Sequence, residues 1–162
     1  MNKKSVLLSQ ISSCQKADGW FVAFDNAVKG LSNEQANWIP EKGSNSIREI
    51  VNHILFWNDR CLNTFKGLPN HKMEGDNDST FQNQGNIDWN ETVARFQSTM
   101  DDWYNTINRA EDDLLDKAAG ENTTDSWAAV IGNMINHAAY HIGQIVFIRK
   151  LQGSWDPNQG VN

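Results

Sequence analysis

The stretch INHAAYHIGQIVFIRKLQG, residues 135 to 153, carries two of the chain's four histidines in an otherwise apolar sequence. His137 and His141 are one helical turn apart, so both side chains lie on the same face of a helix. At about 100° per residue, both imidazoles share an arc of about 80° with apolar positions of the same segment. The residues in this arc are Val130, Met134, His137, His141, Ile145 and Ile148. The spacing therefore predicts a helix whose two histidines point into the protein core.

Apolar residues recur at helical spacing in three further windows of the chain. The four predicted helices run from about Lys4 to Lys29, from Ser46 to about Lys66, from Asp88 through Ile107, and from near Ser126 to about Gln152. One face of the first helix is formed by Leu7, Leu8, Ile11, Cys14, Phe21, Phe24 and Val28. Two capping boxes, SIRE at Ser46 and DWNE at Asp88, mark the starts of the second and third helices.

Four helices of about twenty to twenty-seven residues each predict an all-α fold, a four-helix bundle. The second and third helices are joined by a long loop, residues 67–87, which is rich in Gly, Asn and Asp and has no periodicity. Long loops in small domains are often functional lids. Because the sequence has no internal repeat, we expect residues 1–162 to form a single domain.

The composition excludes several classes of partner. The 14 Lys and Arg residues are scattered, and the net charge is -6, so no basic surface for nucleic acid is expected. No apolar run approaches the roughly twenty residues that a membrane span needs, and the N-terminus does not resemble a signal peptide. Cys14 and Cys61 stand alone without CxxC spacing, which favours reduced thiols over a disulfide without excluding the bridge. A cytoplasmic protein is expected.

The histidine pair predicts half of a metal site. Residues at i and i+4 have Cβ atoms about 5 to 6 Å apart, so two imidazole nitrogens can reach one ion. His53 lies at the edge of the apolar face of the second predicted helix and can supply a third nitrogen. Three neutral imidazoles leave open coordination positions on a divalent ion, as catalytic sites do. The alternative is that the three are core histidines, hydrogen-bonded to carbonyls or to Asn52, Asn136 and Tyr140.

The segments SIREIVNHILFW and NHAAYHIGQIVFIRKLQG resemble those of the DinB/YfiT-like family of metal-dependent enzymes. The resemblance spans nearly the whole chain and implies a four-helix bundle with a histidine on helix two and HxxxHxGQ on helix four. It implies that His53, His137 and His141 are the metal ligands. Ile142 departs from the family pattern, because many members carry a basic residue at this position. A DNA polymerase shares the name DinB, but nothing in this sequence resembles a polymerase.

Four other residues are candidates for roles near the histidines. Gln144 lies about 20° from His137 around the helix and can orient a ligand or a water, although a packing role fits equally well. Glu49 can accept an imidazole proton, but its place in a capping box already explains it. His71 falls in the polar loop and is expected at the surface. Cys61 lies about 12 Å along the helix from His53, too far to share its ion.

These observations predict a divalent-metal-dependent enzyme that acts on a small molecule. Coordination lowers the pKa of a thiol or a water, and some family relatives use low-molecular-weight thiols, so a thiol-dependent transferase or a hydrolase is expected. No protein side chain is assigned as the catalytic base. Zinc or nickel is the expected ion, with iron and copper as alternatives. The competing hypothesis is a non-catalytic bundle that binds a small ligand or partner, in which the histidines or the metal are structural.

The fourth predicted helix is apolar over more than half of its circumference. Ile131, Ile135, Ile142 and Val146 cluster away from the histidines and could meet a second copy of the chain. Equally, the other helices of the same chain could cover them. A homodimer is therefore one expectation from this face.

Overall fold

The computed structural model describes residues 2–17, 19–40, 45–82 and 87–160. Within these ranges the α-helices are α1 (Lys3–Gln15), α2 (Phe24–Val28), α3 (Asn33–Asn37), α4 (Ile47–Phe65), α5 (Trp89–Arg109) and α6 (Trp127–Leu151). Three short 3-10 helices cover Asn77–Phe81, Asp112–Asp116 and Pro157–Gln159. The prediction of an all-α fold is confirmed. None of the described helices has a stretch long and apolar enough to cross a membrane.

Side-chain caps set the starts of the three longest helices. At α4 the Ser46 hydroxyl accepts the Glu49 N–H at 3.2 Å, and the Glu49 carboxylate accepts the Ser46 N–H at 2.7 Å, which confirms the predicted capping box. Asp88 caps α5 by accepting the N–H of Glu91 at 2.8 Å. Ser126 caps α6 in the same way. Such caps are worth about 1 kcal/mol each, because they satisfy amides that have no partner within the helix.

The prediction of one helix from Lys4 to Lys29 is wrong. Helix α1 ends at Gln15, and the chain turns before α2 begins at Phe24. Gly19, whose N–H bonds the Phe21 carbonyl at 3.2 Å, lies in this turn. Phe21 is exposed, although the periodicity placed it on the buried face. Glycine disfavours a helix interior by about 1 kcal/mol, and the apolar spacing on either side of it hid this break.

The four longer helices enclose a shared core. Helix α4 packs against α5 and α6, and α1 packs against the same two helices. Buried apolar side chains from all six helices form one cluster. The Phe24 and Phe96 rings stack at 3.8 Å, which attaches α2 to α5, and Phe65 contacts Trp103 and Trp127 with ring centroids 5.8 and 4.8 Å away. This packing fixes the relative positions of α4 and α6, which carry the histidines.

The face expected to meet a second chain is covered within one chain. Ile131, Ile135 and Ile142 are at most 3% exposed and belong to the core cluster, and Val146 is half-buried. Ile131, Ile135 and Ile142 are therefore not available to a second chain. The reason is that α6 packs against α1, α2 and α4 and is covered on several sides. The homodimer itself stays a prediction.

Candidate metal centre

Helices α4 and α6 bring three imidazoles together. The Nε2 atom of His137 lies 3.1 Å from Nε2 of His53 and 3.0 Å from Nε2 of His141. One ligand atom from each of the three residues lies within 4.8 Å of the other two. His53 is 4% exposed and His141 7%, whereas His137 is half-buried. The three residues predicted from sequence as ligands thus form one cluster with a partly open side at His137.

The hydrogen bond behind His53 sets which of its nitrogens carries the proton. Nδ1 of His53 lies 2.6 Å from the Thr80 hydroxyl, and that hydroxyl donates its only proton to the Asn77 carbonyl at 2.6 Å. Thr80 can therefore only accept from the ring, so Nδ1 is protonated. The lone pair of Nε2 is then free and points towards His137.

His141 is held in the same tautomer by a different partner. Its Nδ1 atom lies 2.7 Å from the side-chain carbonyl oxygen of Gln144, which can only accept a hydrogen bond. The amide nitrogen of Gln144 donates to the Tyr140 hydroxyl at 3.2 Å, which fixes the orientation of the amide. His141 therefore also presents an unprotonated Nε2. Gln144 thus contacts His141, whereas the helical spacing placed it nearest to His137.

The donor set fits a small divalent cation. With bonds of about 2.0 to 2.1 Å, two nitrogens on one ion lie about 2.9 Å apart at a right angle and about 3.3 Å apart at a tetrahedral angle. The observed separations of 3.0 and 3.1 Å fall between these values. Nε2 of His137 lies at these distances from the bare Nε2 atoms of His53 and His141, so one ion could accept a lone pair from each of the three rings. Ligation by the three residues remains a prediction.

The environment keeps the three imidazoles neutral. Burial lowers the pKa of His53 to about 4, with smaller contributions from the neighbouring His141 and His137. Burial and the proximity of His141 lower the pKa of His137. Burial also lowers the pKa of His141, although the hydrogen bond to Gln144 acts in the opposite direction. Neutral imidazole is the form that binds metals, so the site is ready for coordination at neutral pH.

Two supporting residues were missed by sequence reasoning. Thr80 is buried against His53, and the Phe81 ring stacks on the His53 ring at 4.1 Å and 10°. Both belong to the 3-10 helix within the predicted loop, whose residues 83–86 lie outside the described structure. A signal was present in GDNDSTF, because Asp76 accepts the N–H groups of Asp78 and Ser79 and so begins this turn.

The remaining candidates lie outside the histidine cluster. Glu49 serves as a helix cap, as expected. His71 is exposed, and its carbonyl accepts a hydrogen bond from Arg60. Cys61 is an unbridged, half-buried thiol, and burial raises its pKa to about 11. The Nδ1 atoms of His53 and His141 bond Thr80 and Gln144, and not a backbone carbonyl or Asn52, Asn136 or Tyr140, the partners expected of core histidines.

Comparison with known proteins identifies the family. No curated protein and no solved structure matches this chain. A sequence model described as the DinB superfamily matches residues 22–145, which is most of the chain and includes all three histidines and Gln144. The match agrees with the all-helical fold and with the three-histidine cluster on α4 and α6. The chain belongs to the DinB superfamily.

Proposed function

We propose that this protein is a divalent-metal-dependent enzyme whose ion is held by His53, His137 and His141. The observation that carries the proposal is the convergence of three Nε2 atoms from two helices. Three protein ligands leave coordination positions for substrate, whereas structural zinc sites are closed by four. Membership of the DinB superfamily is compatible with this function.

The chain's own residues orient and protect the donors. Thr80 and Gln144 accept the Nδ1 protons of His53 and His141 and hold both rings with Nε2 inward. Partners of this kind typically change metal affinity by about 10- to 100-fold when they are removed. Phe81 covers one face of His53, and His137 lies on the more open side. Substrate would therefore approach from the side of His137.

The proposed reaction is thiol-dependent transfer to a small molecule, or hydrolysis of one. A bound divalent ion lowers the pKa of a coordinated thiol or water, which supplies a nucleophile near neutral pH. Among the described residues, the cluster with metal-ligand geometry contains only the three histidines and no carboxylate. This composition suits a reaction in which the nucleophile needs no separate carboxylate base. Zinc or nickel is the proposed ion, and iron or copper would suit the same imidazoles.

The first experiment measures the metal content of protein purified without an affinity tag, followed by activity assays. We expect about one divalent ion per chain, and turnover in a screen of thiol conjugation and of ester and amide hydrolysis. Metal-depleted protein and the His137→Ala variant serve as controls and should be inactive. A bound ion without turnover on any substrate class would instead support a non-catalytic ligand-binding protein. Absence of tight metal binding would reject the proposal.

A further inference from the structure

A second candidate site lies beside the histidine cluster. A cleft of about 700 Å³ is bounded by α4, by the segment of residues 70–82 and by α5. Its volume falls within the range of small-molecule sites. The lining includes Thr80 and Asn52 but none of the three histidines. Because Thr80 contacts the Nδ1 edge of His53, the cleft lies on the opposite edge of this ring from the converging Nε2 atoms.

The cleft carries a small excess of positive charge in an acidic protein. Arg60, Lys72 and Arg95 line it, together with two carboxylates, Asp59 and Glu74. The chain as a whole has a net charge of -6. Five lysines of the described residues form salt bridges, but none of these three cations takes part in one. The positive charge of Arg95 already acts on the Asp59 carboxylate, so the cleft offers an outside anion an excess of one cation over its two carboxylates.

Two of the charged side chains are held in place. Arg60 donates to the His71 carbonyl at 2.6 Å, and its guanidinium lies over the Phe56 ring at 5.4 Å. Asp59 accepts the Thr99 hydroxyl at 2.8 Å, so one of its oxygens is already engaged. Burial raises the pKa of Asp59, whereas the Thr99 hydrogen bond and the charge of Arg95 act in the opposite direction. Fixed groups of this kind reduce the entropy lost on binding.

Apolar side chains supply the rest of the surface. Leu55, Phe56, Met73 and Ile87 line the cleft alongside the charged groups. Ligand sites commonly combine an apolar wall with a few fixed polar groups that orient the ligand. An inorganic anion would use only the cations, whereas a ligand with both an anionic group and an apolar body would use both parts of the lining.

We propose that this cleft binds a small organic carboxylate with an apolar body. Its carboxylate is held by Arg95 with Arg60 and Lys72 nearby, and its apolar part packs against Phe56 and Met73. The site is separate from the proposed metal centre. It can therefore be tested on metal-free protein, and its failure would leave the proposed metal chemistry untouched.

The test is an NMR titration of metal-depleted protein with 3-phenylpropionate and with its uncharged isostere, 3-phenylpropanamide. We expect saturable shifts of backbone amides around Arg60, in residues 70–74 and around Arg95, with smaller changes at His137 and His141. The anion should bind about tenfold more tightly than the amide, because charge-assisted hydrogen bonds are the stronger ones. Using metal-free protein prevents the carboxylate from binding the ion itself.

Matched variants separate a built site from general charge attraction. Arg95→Gln should weaken 3-phenylpropionate binding about tenfold and leave binding of the amide unchanged. Arg109→Gln is the control, since Arg109 is an exposed residue of the same helix outside the cleft. The proposal is overturned if no saturable shift appears at up to about 20 mM ligand, if the amide binds as well as the anion, or if both variants weaken binding equally.

Discussion

Helices α4 and α6 and the segment of residues 67–82 contribute to the same site in different ways. The helices supply the three imidazoles, and their positions follow from helical periodicity and core packing. The segment supplies Thr80 and Phe81, which orient and cover one of those imidazoles. For His53 the position and the orientation are therefore encoded separately: helical spacing positions the imidazole, and the turn that carries Thr80 orients it.

The two regions also differ in how their side chains are supported. Helix α6 is self-sufficient, because His141 and Gln144 are three residues apart on one helix and bond each other. His53 depends on a hydroxyl 27 residues away in sequence. Loss of structure in the segment should therefore affect His53 while leaving the α6 pair intact. The predictions below test this division, from the largest expected effect to the smallest.

The largest effect is expected from removing a donor on α6. In His137→Ala, tight binding of divalent metal should be lost, since the central imidazole of the cluster is gone. In the wild type, metal at about 100 times its Kd should stabilise the fold by about 2.7 kcal/mol, and in the variant this increment should vanish. Calorimetric titration and thermal melts with and without zinc measure both.

The control for this variant is Asn136→Ala, which changes the exposed neighbouring residue on the same helix. It should keep both the metal affinity and the thermal shift. If His137→Ala still bound metal as tightly as the wild type, the three histidines would be core residues and not ligands.

The second prediction concerns pH in the metal-free protein. The pKa of His53 is lowered from 6.5 to about 4, so between these values the unfolded chain binds a proton that the folded protein does not. The free energy of unfolding should therefore be highest above about pH 6.5 and fall by up to about 3 kcal/mol as the pH drops to about 4. Denaturant titrations across this range measure the slope.

A variant at His53 identifies its share of that slope. His53→Asn should reduce the slope, and the remainder should come from His137 and His141, because burial also lowers their pKa values. With metal present, the free energy of unfolding should fall more steeply as the pH drops, since protons then also compete with the ion at several imidazoles. An equal slope in wild type and His53→Asn would show that His53 does not carry this pH dependence.

The third prediction compares the two supports directly. Thr80→Val removes the acceptor for the Nδ1 proton of His53 while keeping the side-chain shape, and metal affinity should fall about 10- to 100-fold. Thr80→Ser should restore most of the affinity, because it keeps the hydroxyl. Gln144→Leu should give a loss of similar size through His141. Metal competition with a chromophoric chelator resolves these differences.

The outcome of that comparison decides whether the segment is functional or only structural. If Thr80→Val matched the exposed control Thr124→Val in metal affinity, the segment would only cover the site. A loss confined to Gln144→Leu would mean that α6 alone orients the donors.

Much of the framework could be predicted from sequence, because its signals are local and repeated. The capping box at Ser46 and the apolar spacing of α6 predicted the helix starts and placed His53, His137 and His141 towards one another. Capping and periodicity depend on residues within about one turn, so one sequence suffices to detect them.

The misses have a common physical cause. The break after α1 and the contact of Thr80 with His53 both depend on the tertiary positions of short segments. Hydrophobic periodicity along one helix does not detect such positions. The buried faces of Ile131 and Ile135 were likewise ambiguous, because an apolar helix surface does not reveal whether its own chain or a second chain covers it. The packing of the folded chain shows which residues cover such a face.

The smallest effect is expected at the start of the turn that presents Thr80. The Asp76 carboxylate accepts the N–H groups of Asp78 and Ser79 at 3.1 and 3.4 Å, so Asp76→Ala should destabilise the 3-10 helix by about 1 kcal/mol or less. Thr80 would keep its hydroxyl but hold it less firmly, since the Ser79 side chain also bonds the Asp76 carbonyl at 2.6 Å and retains part of the turn. Metal affinity should therefore fall by only about two- to fivefold, while amide exchange speeds up in residues 77–81 and stays unchanged in α6.

Asp78→Ala, an exposed change in the same turn, is the control. Faster exchange in α6 as well would show that the two regions unfold as one unit, and the proposed separation of donors from their support would be wrong.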